Sequence, residues 1–299
     1  MTDIKSILAA YSERFNQQLP HFFTLPDGPE SRVAEAMRYS VMNGGKRLRP
    51  YLVYETGRLF NLGFEETLHT AAALEMLHSY SLIHDDLPAM DNDDLRRGKP
   101  TCHKQYDEAT AILAGDGLLT YAFEVLSSPK TAADTSVRCE LISALAKGAG
   151  AFDGMIAGQM LDLYAEKLPA DTDGEKLIKH IEEMKTGRLI SYACEAGAIL
   201  GGADTQQRQA LAAYARGIGI AFQIADDILD VEGEQELVGK TLNKDVNQGK
   251  VTFVTLYGLE NARQIAKQLI EQAKEALSIF GSKAENLKAL AQYIIDRNY

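Results

Sequence analysis

Apolar residues recur at intervals of three and four along most of the chain, which is the spacing of one face of an α-helix. Runs that alternate apolar with polar residues are scarce, so few strands are expected. Segments bounded by turn-forming residues each predict a helix or a pair of helices. They are residues 31–43, 65–86, 107–127, 136–166, 174–200, 205–231 and 259–280. The pattern therefore predicts an all-α fold.

The connectors between these segments are short and rich in Gly, Pro, Asp and Ser. None is long or simple enough in composition to separate two domains, and no repeat of fixed period is present. We therefore expect one all-helical domain over residues 1–299.

Composition narrows the class of protein. With 45% apolar and 24% charged residues the chain can bury a large core, and its net charge of -11 argues against nucleic-acid binding. Cys102, Cys139 and Cys194 are far apart in the sequence, which fits a reducing compartment. The N-terminus carries charges unlike a signal peptide, and no apolar stretch approaches the roughly 18 residues of a membrane span. We expect a cytoplasmic protein without a membrane span.

Two predicted helices carry aspartate clusters beside apolar segments. In the later one, FQIADDILD, Asp226 and Asp230 lie about 40° apart on an ideal helix and share a face with Gln223. The neighbouring apolar stripe is Ile218, Phe222, Ala225 and Leu229. Since unpaired carboxylates near a core are costly to keep ionised, a hard divalent cation such as Mg²⁺ is the expected partner.

The earlier cluster, HDDLPAMDNDDLRRG, contains Asp85, Asp86 and Asp91 with Pro88 between them. Six residues of ideal helix turn through about 600°, which would keep Asp85 and Asp91 apart. Pro88 should bend or end the helix near Asp86, and such a bend could bring Asp91 back toward Asp85. The alternative is that these acids are a solvated helix end.

Basic residues near both clusters supply the groups that bind phosphate. GGKRLRP at 44–50 places Lys46, Arg47 and Arg49 between glycines and a proline, without the spacing of a P-loop. The others are Arg96, Arg97, Lys185, Thr186, Lys240 and Lys250. Each alone is more simply a solvated surface residue, but together they suit two diphosphates, one held through metals and one by cations directly.

With these motifs the chain resembles the trans-prenyl diphosphate synthases, and within them the bacterial farnesyl diphosphate synthases, nearly from end to end. The segments that carry the resemblance are GGKRLRP (44–50), HDDLPAMDNDDLRRG (84–98), GQMLD (158–162), KTG (185–187), FQIADDILD (222–230) and GKTLNKD (239–245). The resemblance implies a single large helical bundle around a central active-site cavity, of the isoprenoid synthase type, and a homodimer.

The resemblance also implies roles for individual residues. The implied metal ligands are Asp85, Asp86, Asp91, Asp226, Asp227 and Asp230. Asp85, Asp91 and Asp226 are the principal ones among them. The implied allylic diphosphate contacts are Arg96, Lys185, Thr186, Gln223 and Lys240. The implied isopentenyl diphosphate contacts are Gly45, Lys46, Arg49, His78 and Arg97.

The implied reaction joins isopentenyl diphosphate to dimethylallyl and then geranyl diphosphate, giving (2E,6E)-farnesyl diphosphate. Mg²⁺, about three ions per site with Mn²⁺ as a substitute, assists departure of the allylic diphosphate. The isopentenyl double bond attacks the resulting carbocation and a proton is lost. Carbonyls of Lys185 or Thr186 and the amide of Gln223 are the catalytic candidates, as stabilisers of the cation.

Product length is expected to depend on the helix before Asp85. Ser81 lies one turn deeper on the same face, whereas Tyr80 lies about 140° away on an ideal helix. By resemblance, an aromatic residue here with two extra residues in the first aspartate motif is typical of bacterial farnesyl synthases. Tyr80 would then be the floor that stops growth at fifteen carbons, and the alternative is a core tyrosine.

Other functions share part of this pattern. The product could instead be geranyl or geranylgeranyl diphosphate. A terpene cyclase is disfavoured because its second motif is normally N-x-x-x-S-x-x-x-E and a basic isopentenyl site would have no use. A silent regulatory subunit need not keep its aspartates, whereas both motifs are intact here. The chain departs from the family's Thr-Tyr-Pro after Lys250, with Thr252-Phe253-Val254 in its place.

Overall fold

The computed structural model describes residues 3–165, 174–232 and 252–296. These residues are almost entirely helical, which confirms the all-α prediction. The α-helices are α1 (Ile4–Gln18), α2 (Ser31–Val41), α3 (Leu48–Leu59), α4 (Phe64–Asp85), α5 (Cys102–Gln105), α6 (Glu108–Ser127), α7 (Thr135–Ala149), α8 (Met155–Ala165), α9 (Gly174–Glu182), α10 (Arg188–Leu200), α11 (Thr205–Glu232), α12 (Phe253–Tyr257), α13 (Leu259–Ala276) and α14 (Glu285–Asp296). Short 3₁₀ segments cover Leu19–Phe22 and Leu277–Ala284, and a π-helical turn covers Glu183–Gly187.

Every segment predicted from the apolar spacing contains helix, whereas α1, α3, α5, α12 and α14 lie outside the predicted segments. In α3 the reason is visible, because polar Glu55 and Thr56 are buried beside Leu52 and Val53. A helix that buries polar and apolar residues side by side presents no clean apolar stripe.

The start of α6 shows how local chemistry sets a boundary. Asp107 caps the helix by accepting the Thr110 amide at 2.8 Å, and its second oxygen accepts from Arg32 of α2 at 2.7 Å. The Arg32 hydrogen bond and the bonds from Thr110 lower the pKa of Asp107 to about 2. The cap thus also ties α6 to α2.

A two-stranded hairpin follows the first aspartate cluster. Strands β1 (Leu95–Arg96) and β2 (Lys99–Pro100) pair antiparallel through a two-residue loop of Arg97 and Gly98. Both loop residues have positive φ, 54° and 76°, as a type I′ turn requires. The hairpin fixes Arg96 in a strand and Arg97 in the turn.

The chain divides into two compact units. The first, here the N-terminal unit, comprises Lys5–Tyr54 and Gly63–Ile142. Its core forms where α4 packs against α6 and α2. Leu74, Met76 and Leu77 of α4 are fully buried there.

The second, here the C-terminal unit, comprises Met1–Ile4, Glu55–Leu62 and Ser143–Tyr299. In it α11 packs against α10 and α13, and the buried Tyr214 hydroxyl donates to the Leu287 carbonyl at 2.8 Å. The single domain expected from the sequence stays a prediction.

Helix α6 is, within the described part of the chain, the one helix that is long and apolar enough to cross a membrane by length and composition. It also packs against α2 and α4, and its buried residues include Ala114, Leu118 and Ala122. Core helices pass the same test of length and composition.

Candidate active site

The glycine loop between α2 and α3 takes a conformation that its sequence makes possible. Gly44 and Gly45 have φ of 81° and 108°, a region that favours glycine. A Cβ on Gly45 would clash with the guanidinium of Arg97, which donates a hydrogen bond to the Gly44 carbonyl. The loop and Arg97 are therefore in contact, as the predicted isopentenyl diphosphate site requires.

The three cations of GGKRLRP differ in burial. Lys46 is exposed, Arg49 is half-buried, and Arg47 is only 2% exposed. Arg49 Nη1 lies 3.3 Å from His78 Nε2. Burial and then the neighbouring Arg49 and Arg97 charges lower the pKa of His78 well below its ordinary value, so the neutral ring accepts this hydrogen bond.

The first aspartate cluster folds back on itself, as the position of Pro88 suggested. Helix α4 ends at Asp85, and the amide of Asp91 donates to the Asp85 carbonyl at 2.8 Å. The expected return of Asp91 toward Asp85 is confirmed for the backbone. Both residues are half-buried.

Asp86, in the same cluster, has a different environment. It is 3% exposed and accepts two hydrogen bonds from Arg96 Nε, at 2.7 and 2.9 Å to its two oxygens. Burial raises the pKa of Asp86, and the Arg96 hydrogen bond opposes that shift. The predicted third ligand is thus the partner of a predicted diphosphate contact.

The second aspartate cluster lies within α11. Asp226 is half-buried, whereas Asp227 and Asp230 are 3% and 2% exposed. Asp227 accepts from the Phe253 backbone amide at 2.9 Å and from Gln223 Nε2 at 3.2 Å. In the neighbouring stripe Ile218 and Ala225 are buried, and Phe222 and Leu229 are half-buried.

The contact with Phe253 concerns the place where the chain departs from the pattern of the family that it resembles. Asp227 meets a backbone amide there, so the contact needs a residue with an N–H at 253 but no particular side chain. Phe253 itself is 1% exposed and packs beside Ile224 and Ile178.

Lys185 and Thr186 lie in the π-helical turn, a rare element that is frequent at functional sites. Gly158 and Asp162, one turn apart on α8, both contact Lys185. A Cβ on Gly158 would clash with the Lys185 backbone, and Asp162 Oδ2 lies 2.6 Å from Lys185 Nζ. These contacts give the GQMLD segment a structural role that its sequence alone did not reveal.

Gln223 connects the π turn to the second aspartate cluster. Thr186 Oγ1 lies 3.5 Å from Gln223 Oε1, at the outer limit of a hydrogen bond, while Gln223 Nε2 donates to Asp227. Gln223 thus contacts both Thr186 and Asp227.

Glu182, the last residue of α9, was missed by sequence reasoning. Its Oε2 is buried and has no hydrogen-bond partner among the described residues. Burial raises the pKa of Glu182 well above its ordinary value, and the charges of Asp227 and Asp162 add to the shift. No motif marks this residue, because its surroundings are set by α8 and α11, which are distant in sequence.

The two residues predicted to set product length lie on α4. Tyr80 is 5% exposed, burial raises its pKa to about 12, and its ring meets the His84 ring edge-on at 5.7 Å between centroids. Ser81 donates to the His78 carbonyl at 2.8 Å. The role of Tyr80 as a floor stays a prediction.

The remaining sequence predictions concern Lys240, Lys250 and the cysteines. Lys240 and Lys250 lie outside the described residues. All three cysteines are free, and burial raises the pKa of Cys102 and of Cys194. A raised pKa disfavours the thiolate, so neither has the chemistry of a nucleophile.

The chain matches the polyprenyl synthetase family over residues 30–293. It is 44% identical to the farnesyl diphosphate synthase of Escherichia coli, with 99% of each chain covered. It is 46% identical to a chloroplastic geranylgeranyl pyrophosphate synthase of Arabidopsis thaliana, covering 89% of this chain and 74% of that one. The crystal structure of an FPP/GFPP synthase from Zymomonas mobilis superposes with a TM-score of 0.87 at 45% identity, covering 98% of this chain and 99% of that one. The chain therefore belongs to the polyprenyl synthetase family.

Proposed function

We propose that this chain is a prenyltransferase that condenses isopentenyl diphosphate with dimethylallyl diphosphate and then with geranyl diphosphate, giving (2E,6E)-farnesyl diphosphate. The observation that carries the proposal is the folding of both aspartate motifs. Each keeps its first aspartate half-buried, while the next one is buried in hydrogen bonds within the protein. The named function of the Escherichia coli relative points to the same reaction.

The donor chemistry of both clusters fits Mg²⁺. Among the described residues no group of three or more His, Cys, Asp or Glu side chains is arranged to hold an ion. Mg²⁺ commonly takes only one or two protein carboxylates and completes its shell with water and substrate phosphate. Asp85 and Asp91 at one site and Asp226 at the other supply that number, with Asp230 as a further candidate.

Departure of the allylic diphosphate is the first step, and bound Mg²⁺ would supply positive charge to its oxygens. Arg96 is oriented for this diphosphate by its bonds to Asp86, and Lys185 by its bond to Asp162. Both cations are half-buried, so their attraction for the leaving group is screened less than at a free surface. Thr186, Gln223 and Lys240 complete the proposed set.

Isopentenyl diphosphate would bind at the glycine loop. Lys46, Arg49 and Arg97 supply positive charge, and Gly45 lets the backbone approach closely. The neutral His78 ring orients Arg49 by accepting its hydrogen bond. Holding the substrate by its diphosphate aims its double bond at the cation, which lowers the entropic part of the barrier.

The cation left after departure of the diphosphate needs partial negative charge nearby. The carbonyls of Lys185 and Thr186, in the wide π turn, and the Gln223 side-chain oxygen are the proposed sources. Gln223 is held in place by Asp227. Proton loss to the released diphosphate would then give the allylic product.

The proposal extends to assembly and location. We propose a cytoplasmic homodimer that has no membrane span and binds no nucleic acid, the latter in keeping with the net charge of -11. Helix α6 exposes the apolar Ile112 and Leu113, at 45% and 53%, which a second subunit could cover. Light scattering coupled to size-exclusion chromatography tests the dimer directly.

A second candidate product is geranylgeranyl diphosphate, because relatives with that named product are as similar as the farnesyl synthases. Tyr80 favours the shorter product, since it places a bulky buried ring on α4 against His84, the residue before Asp85.

Product analysis with dimethylallyl and isopentenyl diphosphates, with and without Mg²⁺, tests the proposal. A dominant fifteen-carbon diphosphate that disappears with chelator is expected. A twenty-carbon product would keep the chemistry and reject Tyr80 as the floor. The absence of any condensation by the folded protein with Mg²⁺ would reject the proposed function in favour of a silent subunit.

A further inference from the structure

A buried ion pair lies beneath the glycine loop. Arg47 and Glu75 have side chains 0% and 4% exposed, and Arg47 Nη1 lies 2.5 Å from Glu75 Oε1. A guanidinium so deeply buried cannot meet a substrate diphosphate. The central cation of GGKRLRP therefore serves a different purpose from the cations on either side of it.

The Arg47 guanidinium connects three helices. Besides Glu75 of α4, it donates from Nε to Asn16 Oδ1 of α1 at 2.8 Å and from Nη2 to the Val41 carbonyl at the end of α2 at 2.7 Å. The N–H groups of the guanidinium thus donate to three partners at once. The buried positive charge is compensated by the Glu75 carboxylate.

The backbone at Arg47 is held in a conformation that residues with a Cβ rarely adopt. Its φ is 50°, in the left-handed region, and only Lys46 separates it from two glycines that also have positive φ. The side-chain anchors described above hold this backbone in place. The same backbone leaves Lys46 exposed on one side and Arg49 near His78 on the other.

Glu75 also acts on the charge of the loop. Burial lowers the pKa of the Arg97 guanidinium, Glu75 opposes that shift, and the nearby Arg47 and Arg96 charges add to it. Without Glu75, the loop would carry a group of arginines with one fewer counter-charge, which would drive them apart.

We propose that Arg47 and Glu75 are positioning residues for the isopentenyl diphosphate site: their buried pair fixes the glycine loop so that Lys46, Arg49 and Arg97 face one diphosphate. This rests on the proposed function in that the loop binds isopentenyl diphosphate. Arg47 acts only through the backbone that it anchors, and Glu75 only through Arg47 and the charge balance.

The test replaces the pair by apolar residues of similar volume, Arg47→Met with Glu75→Leu. A buried pair replaced in this way often leaves a protein folded, whereas removing one partner leaves a buried charge uncompensated. The KM for isopentenyl diphosphate should rise by about 10- to 100-fold, because the loop cations are no longer held in register. The KM for dimethylallyl diphosphate should stay within about twofold.

The control removes another Arg–Glu pair, on helix α3, by Arg58→Met with Glu55→Leu. Arg58 Nη1 lies 2.8 Å from Oε1 of the buried Glu55, and the Arg58 side chain is 47% exposed. This control should leave the ratio of the two KM values unchanged. Arg47→Lys, which keeps the charge but not the three-way fork, should give an intermediate KM for isopentenyl diphosphate.

Hydrogen–deuterium exchange of the peptide 42–50 provides a readout that needs no turnover. Exchange should be faster in the Met/Leu variant than in the wild type and unchanged in the control. Unchanged exchange together with an unchanged KM in a folded variant would overturn the proposal, as would an equal rise of both KM values. If the wild type shows no condensation while the Met/Leu variant still exchanges faster than the wild type, the proposed function is rejected and the loop anchoring stands.

Discussion

The two aspartate clusters share a pattern of residues but occupy different structural settings. The first lies where α4 ends, and the chain turns so that the Asp91 amide reaches the Asp85 carbonyl. The second lies within the continuous helix α11, where Asp226 and Asp227 point to different surroundings because neighbours on a helix are about 100° apart.

Despite this difference, both clusters divide their aspartates in the same way. The first of each adjacent pair, Asp85 or Asp226, is half-buried. The second, Asp86 or Asp227, is 3% exposed and bound within the protein. The partners differ, since Asp86 holds the cation Arg96 whereas Asp227 holds the neutral Gln223 side chain and the Phe253 amide. We therefore expect the first aspartates to act on metal and the second to position protein groups.

The largest expected effect comes from the first aspartates. Asp85→Asn and Asp226→Asn should each lower turnover by about 10³-fold, because each removes charge stabilisation of the departing diphosphate. Steady-state condensation assays measure this. Asp94→Asn, which changes an exposed aspartate of the same cluster paired with Lys104, serves as the control and should remain active. A wild-type rate in either test variant would contradict the assignment of the first aspartates to metal.

A smaller loss is expected from the second aspartates. Asp86→Asn and Asp227→Asn should lower turnover by about 10- to 100-fold, as changes to groups that orient functional residues commonly do. The two should differ in stability, because Asp86→Asn removes the charged partner of Arg96, at a cost of about 1–3 kcal/mol in the free energy of unfolding. Urea denaturation measures that difference. Equal destabilisation by both variants would show that the partners do not distinguish the clusters.

Product length sharpens the comparison in another way. Five residues before the first aspartate pair stands Tyr80, whereas the same position before the second pair is Ala221. Tyr80→Ala makes α4 resemble α11 at this position and should shift the product from fifteen carbons toward twenty or more, because a buried ring is replaced by space. Chromatography of the dephosphorylated products measures the shift. A purely fifteen-carbon product would identify Tyr80 as a core residue only.

The smallest effect concerns pH. Burial and nearby arginines lower the pKa of His78, so the unfolded chain takes up this proton at higher pH than the folded one. Stability from His78 is therefore fully present above the ordinary value of about 6.5 and decreases as pH falls below it. The decrease in Tm between pH 7 and pH 5.5 should be smaller in His78→Gln than in the wild type. His21→Gln, at an exposed histidine, is the control, and equal slopes in all three proteins would contradict this assignment.

Much of the fold and the turn at Pro88 could be predicted from the sequence, because apolar spacing and proline chemistry act locally. The different roles of the two adjacent aspartates in each pair could not be predicted from the sequence. Asp86 is defined by Arg96, ten residues later, and Asp227 by the Phe253 amide, which is twenty-six residues away. Periodicity predicts the helix face on which a residue lies. It does not predict which group from a distant part of the sequence contacts that residue.

The glycine loop shows the same limit. GGKRLRP predicts three cations for phosphate, yet only burial separates Arg47, which is inside, from Lys46, which is exposed. The π turn at Lys185 and the approach of Gly158 are likewise tertiary features, although the spacing of Gly158 and Asp162 could have indicated a shared helix face.

The most direct test of the central comparison is the Mg²⁺ dependence of turnover in the four Asn variants at positions 85, 86, 226 and 227. Asp85→Asn and Asp226→Asn should raise the half-saturating Mg²⁺ concentration by about tenfold or more, because each removes a ligand. Asp86→Asn and Asp227→Asn should keep the wild-type Mg²⁺ dependence while lowering the maximal rate. A shift of the Mg²⁺ dependence in all four variants, or in the second pair alone, would contradict the division of roles.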